Sequence, residues 1–154
     1  MLENTFIQHS FLAIVLGFII GIQREMRNYT AGTKDFGGSR TFAIICLIGY
    51  LSAFLSGFSA FFLMAAFLSV SAMLIAANVA SCINEKQRGT TTEFSAFAAF
   101  LLGALLNYID VKFVIFCAVA LLLLLNLKDK IQELEKYIGK EDLNAAVLFL
   151  TMTF

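Results

Sequence analysis

Charge is scarce in this chain. Of its 154 residues only 14% are Asp, Glu, Lys or Arg, 60% are hydrophobic, and proline is absent. A soluble domain of this length needs far more polar surface to cover its core, so the composition selects a membrane protein. Histidine is almost missing as well. His9 stands alone near one end of the first apolar run, where a polar end residue is a better reading than a ligand. With no nucleophile–base constellation beside it, an enzyme is the least favoured class, and no catalytic residue is assigned. Cysteines are few. Cys46, Cys82 and Cys117 lie in or at the ends of apolar runs without any CxxC spacing, as small buried hydrophobes do, and not as a disulfide framework or zinc site would. Net charge is zero, which implies no nucleic-acid partner. Strands of about ten residues with alternating polarity, the mark of a membrane barrel, are also missing. The start Met1-Leu2-Glu3 has no basic region, and Arg24 and Arg27 follow the first apolar run, so that run reads as a retained span and not a signal peptide.

What is present is a series of helix-length apolar runs, each near the roughly 20 residues that cross a bilayer. They predict an all-α, polytopic transmembrane helix bundle of five spans: residues 6–23, 41–58, a third that follows a tight turn at 56–59 and ends near Asn84, 94–108 and 111–127. Beyond these, Leu127, Ile131, Leu134 and Ile138 form one apolar stripe among charged neighbours, which predicts a C-terminal amphipathic helix over 128–142. Residues 143–154 turn apolar again but are too few to span; they are expected to be the truncated start of a sixth apolar helix. The expected domains are therefore 1–127, 128–142 and 143–154.

The most informative stretch runs from Gly17 to Thr41. Gly17 and Gly21, four apart, permit close helix approach in a membrane, and Gly49 and Gly103 fall on further small-residue faces with Cys46, Ala53, Ala96 and Ala99. Gln23, Arg24 and Glu25 then turn the first run abruptly polar, glycines follow with Lys34 and Asp35, and Arg40-Thr41 opens the next run. Ionisable groups at span ends either anchor at the interface or face inward, and inward-facing ones must pair. The expectation is an ion-pair cluster of Glu25 with Arg40 or Arg24, with Thr41 and Glu93 close by. Thr90-x-x-Glu93 also has the spacing of a capping box, which accounts for both residues without a ligand. On the third span Ser71, Asn78, Ser81 and Glu85 share one side. Interhelical hydrogen bonding is slightly preferred over a conduction path for that stripe.

These residues carry a resemblance. Leu16-Gly-Phe-Ile-Ile-Gly-Ile-Gln-Arg-Glu25, Ala31-Gly32 and Gly38-Ser-Arg-Thr-Phe42 resemble the signature of the MgtC/SapB membrane proteins. Gly89-Thr-Thr-Thr-Glu-Phe94 with Leu102-Gly103-Ala104 resembles the longer subgroup that carries a second domain of unknown function. The family commonly has an acid one residue before the Arg-Glu pair, where this chain has Gln23. The resemblance implies a bacterial inner-membrane protein linked to magnesium homeostasis, with some members regulating machinery such as ATP synthase. It also implies Arg24, Glu25, Arg40, Thr41, Thr92 and Glu93 as the characteristic polar residues.

Two functions are in competition. One is handling of an ion or small solute at a charged site at the cytoplasmic end of the bundle. No cofactor is required. Mg²⁺ takes one or two carboxylates and keeps its waters, which makes Glu25 and Glu93, with Asp35, the candidate ligands. Arg24 and Arg40 oppose a bare cation and fit an anion equally well. The other is a non-transporting regulatory or assembly module that binds a second copy, as a homodimer, or another membrane protein within the lipid bilayer. Orientation follows from Lys and Arg: ten lie in the segments after the first, third and fifth runs, and only Lys112 lies opposite. The N-terminus is then outside and those three segments are cytoplasmic. Cysteines introduced at Lys34 and at Asp110 test this. In intact cells an impermeant maleimide is expected to label position 110 and spare position 34, and the reverse pattern would overturn the orientation.

Overall fold

The computed structural model describes residues 2–31, 37–84, 91–135 and 152. Among the described residues all regular structure is α-helical: α1 (Leu2–Ala31), α2 (Ser39–Leu55), α3 (Ala60–Asn84), α4 (Thr91–Tyr108) and α5 (Val111–Glu135). Two of these contain stretches long and apolar enough to cross a membrane, Asn4–Met26 and Ala60–Val79; Ser39–Leu55, Glu93–Tyr108 and Val111–Leu127 are shorter apolar helices. By contacts the chain divides into two units, Met1–Ala118 and Val119–Phe154.

Helix bounds follow local chemistry. α1 does not stop where its charges begin. It continues through Gln23, Arg24 and Glu25 to Ala31, because none of these residues breaks a helix; at 1.5 Å per residue it is about 45 Å long. The α2–α3 turn closes with Gly57 N–H donating to Phe54 O and Phe58 N–H to Leu55 O. Ser59 then caps α3, its Oγ accepting from Phe61 N–H at 3.4 Å. Asp110 does the same for α5, its Oδ1 accepting from Lys112 N–H at 3.5 Å. α5 continues without interruption past Leu127 to Glu135. Residues 136–142 of the expected amphipathic segment, and the apolar segment from 143 onward except Met152, lie outside the described residues.

In the first unit α2 is the central element, packed on α1, α3 and α4, while α4 also touches α1 and α3. That position explains why its buried residues (Phe42, Ala43, Ile45, Cys46, Gly49, Tyr50, Ser52 and Ala53) cover more than one face. Facing pairs give the directions. Gly21 meets Ser39 and Gly17 meets Phe42 and Cys46, so α1 and α2 are antiparallel. Gly49 meets Phe100 and Asn107 Nδ2 donates to Ala53 O at 3.1 Å, so α2 and α4 run parallel. Phe67 stacks edge-on against Phe97 at 5.0 Å and Asn78 meets Glu93, so α3 and α4 are antiparallel. The ends of α1 and α3 and the starts of α2 and α4 therefore lie at one end of this unit.

Both α2 interfaces depend on missing side chains. A Cβ on Gly17 would lie 2.5 Å from Phe42 O and 2.8 Å from Ala43 Cα, and one on Gly21 would lie 2.5 Å from Ser39 Cα. On the other side a Cβ on Gly49 would run into the Phe100 carbonyl, and one on Gly103 into the Cys46 carbonyl. These obstacles are backbone and cannot swing away. In lipid, where burial of apolar surface gives little drive, such close backbone approach is what holds helices together. The outward faces are apolar to match, with Phe61, Met64, Leu68, Ile75 and Phe116 among many exposed large side chains. Gly49→Ala and Gly103→Ala should each cost about 3 kcal/mol or more in detergent unfolding, since overpacking against backbone lies at the upper end of its range. Gly57→Ala, whose Cβ meets only Phe54 O at 3.3 Å, should change stability by no more than about 0.5 kcal/mol. Equal effects at all three positions would refute backbone contact as the holding force.

Candidate functional site

Arg24, Glu25 and Arg40 lie at the end of the first unit where α1 finishes and α2 starts. Gly37 enters there with φ +76°, a left-handed conformation that glycine adopts without strain. Gly38 is the N-cap of α2 and offers no side-chain acceptor. The acceptor comes from α1: Glu25 Oε2 takes the Ser39 N–H at 3.1 Å. A Cβ on Gly38 would stand 3.3 Å from that oxygen, so the bare glycine makes room for the carboxylate. Glu25 thus caps a neighbouring helix, with its negative charge at the positive end of the α2 dipole.

Its neighbours differ in burial. Arg24, about 100° further round α1, is 4% exposed and buried. Arg40 is exposed. Thr41 is half-buried, with its methyl 3.0 Å from where a Gly37 Cβ would sit and its N–H on Gly38 O at 3.0 Å. The contact seen for Glu25 is therefore the Ser39 amide, where an arginine was expected. Lys34, Asp35 and Thr90 lie outside the described residues, and Thr92 is placed only as a position in the first turn of α4.

Glu93 occupies a second polar place, between α3 and α4. Its Oε1 accepts from Asn78 Nδ2 at 2.9 Å. Its Oε2 is buried and has no hydrogen-bond partner among the described residues, and the same holds for Ser71 Oγ, two turns away on α3. A groove of about 300 Å³ runs over them, lined by Ser71, Leu74, Ile75, Asn78, Glu93, Phe94 and Phe97. The α3 polar stripe thus makes an interhelical hydrogen bond at Asn78. Sequence reasoning saw the stripe and saw Glu93 but not that they meet; the available signal was the antiparallel course of two helices joined by a short loop. Among the described residues no group of three or more His, Cys, Asp or Glu gathers to hold a metal. Of the two candidate carboxylates, Glu25 is engaged with the α2 amide and Glu93 retains one unpartnered oxygen.

A tightly packed helical unit with membrane-length apolar stretches, apolar outer faces and paired polar groups at one end defines a membrane protein. Its affiliation is specific: the model of the MgtC family matches residues 11–134, and the chain belongs to that family. Membership links it to membrane proteins of magnesium homeostasis. Comparison with curated proteins and with solved structures gave no match.

The capping role of Glu25 makes a distinct prediction. Glu25→Ala should lower stability by about 1 kcal/mol, and Glu25→Gln, which keeps an acceptor, by less. Arg40→Gln should change it by no more than about 0.5 kcal/mol, and its effect should add to that of Glu25→Gln. A coupling above roughly 0.5 kcal/mol in the double-mutant cycle, measured by unfolding in detergent, would restore a Glu25–Arg40 ion pair in place of the cap.

Proposed function

We propose that this protein is a five-span bacterial inner-membrane protein that acts in magnesium homeostasis as a non-transporting module, docking on another membrane protein or on a second copy of itself. In this reading the N-terminus is outside, and the segments after the first, third and fifth apolar runs are cytoplasmic, as the ten-to-one distribution of Lys and Arg favours. The observation that carries the proposal is the solidity of the α1–α2–α4 core. Its helices meet backbone to backbone at Gly17, Gly21, Gly49 and Gly103, and Glu25 is engaged in holding α2. A path for a hydrated ion between these helices would have to separate contacts that the glycines bring together. ATP synthase, on which some relatives of this type are thought to act, is a suitable first partner to test.

A second reading rests on Glu93. A carboxylate oxygen without a partner beside a groove suits a site that handles an ion, because Mg²⁺ needs only one or two carboxylates and otherwise keeps its waters.

Two measurements decide between them. Proteoliposomes holding the purified protein and a trapped Mg²⁺ indicator should show no uptake above empty liposomes. Inverted membrane vesicles containing the protein should show reduced ATP-driven acidification relative to vesicles without it. Saturable Mg²⁺ uptake that Glu93→Gln abolishes would overturn the module reading in favour of the second.

A further inference from the structure

The end of the first unit opposite Glu25 holds a larger cavity that neither reading uses. It measures about 700 Å³ and is lined by Thr5, Phe6, Ile7 and His9 of α1, Tyr50 and Phe54 of α2, and Asn107 of α4. That volume lies within the usual range for small-molecule pockets, as does a mostly apolar lining with a few convergent polar groups. Its walls are aromatic. Phe6 lies against Phe54 at 4.7 Å and against Tyr50 at 5.6 Å between ring centroids, and His9 meets Tyr50 edge-on at 6.1 Å.

The polar groups narrow the ligand. Tyr50 donates its hydroxyl proton to Phe6 O at 3.5 Å, and Asn107 donates from Nδ2 to Ala53 O at 3.1 Å. The Tyr50 hydroxyl and the Asn107 carbonyl thus keep oxygen lone pairs as acceptors, and Asn107 keeps one further N–H. Among the described lining residues there is no Lys or Arg, which leaves an anion His9 alone as a counter-charge. None of the described lining residues is Asp or Glu, so a metal ion finds no carboxylate among them to replace its water. Aromatic faces carry negative potential, and three of them beside neutral acceptors favour a cation that brings its own apolar substituents.

We propose that this cavity binds an alkylammonium group, free in solution or as the headgroup of a membrane lipid. Phe54 supplies the outer aromatic wall, being 44% exposed, and Tyr50 the inner one, being 2% exposed. On the orientation favoured by the Lys/Arg count the cavity opens on the outer side of the membrane, away from the Glu25 end. The proposal does not depend on whether the protein transports anything.

The test compares choline chloride with dimethylbutanol, its neutral carbon isostere, by thermal unfolding of the full chain in detergent. Choline should raise the melting temperature saturably, and the isostere and sodium chloride of equal ionic strength should not. Phe54→Leu, which keeps apolar bulk but removes the ring, should weaken the choline effect roughly ten-fold, and Phe54→Tyr should restore it. Nanodiscs of phosphatidylglycerol with and without phosphatidylcholine separate the sources. Stabilisation by the ammonium-bearing lipid without a response to choline assigns the site to a headgroup, provided Phe54→Leu abolishes it. An equal response to choline and its isostere in the unaltered protein, or a choline or lipid effect untouched by Phe54→Leu, would overturn the proposal.

Discussion

The contact on which the first unit depends is that of α2 with the backbones on either side of it. Four glycines, Gly17 and Gly21 on α1, Gly49 on α2 and Gly103 on α4, let main chain approach main chain where any side chain would collide with a carbonyl or Cα. In water such contacts would be helped by the burial of large apolar groups. In lipid that help is nearly absent, and dispersion between closely packed surfaces must hold the helices together. The largest apolar side chains can accordingly face outward, as Phe61, Met64 and Phe116 do.

Polar groups then fix what packing leaves free. Close-packed helices can still slide, and a directional bond at each interface opposes sliding. Glu25 binds the start of α2 to α1, Asn107 binds α4 to the Ala53 carbonyl, and Asn78 binds α3 to Glu93. Ser56 and Tyr108 add a further hydrogen bond between α2 and α4. Each side chain meets a partner on a neighbouring helix, so these groups join helices while leaving the apolar exterior intact. Glu25 in particular combines a cap with an interhelical tether.

Much of this could be read in the residues. Helix class, the order of the runs and the small faces around Gly17, Cys46 and Gly103 follow from composition and spacing, because lipid rewards long uninterrupted apolar helices. Where α1 would end could not be read. Hydropathy falls at Gln23, yet polar residues are good helix formers and the helix continues to Ala31. The partner of Glu25 was hidden for a different reason. A search for an opposite charge found Arg24 and Arg40, whereas the contact is with a main-chain N–H, which every residue but proline has and which no sequence pattern distinguishes. The aromatic cavity was also out of reach, because Phe6, Tyr50, Phe54 and Asn107 are far apart in the chain and converge only once three helices have docked.

Cys46 occupies the point where the two α2 interfaces converge. Gly17 faces its Cβ, Gly103 faces its carbonyl, and its thiol is buried without a disulfide. An alkylating reagent can reach that sulfur only after α2 has parted from a neighbour, so the rate of its modification registers how often the bundle opens. With Cys82 and Cys117 replaced, the chain therefore carries a built-in clock for its own breathing, at the seam of both α2 interfaces.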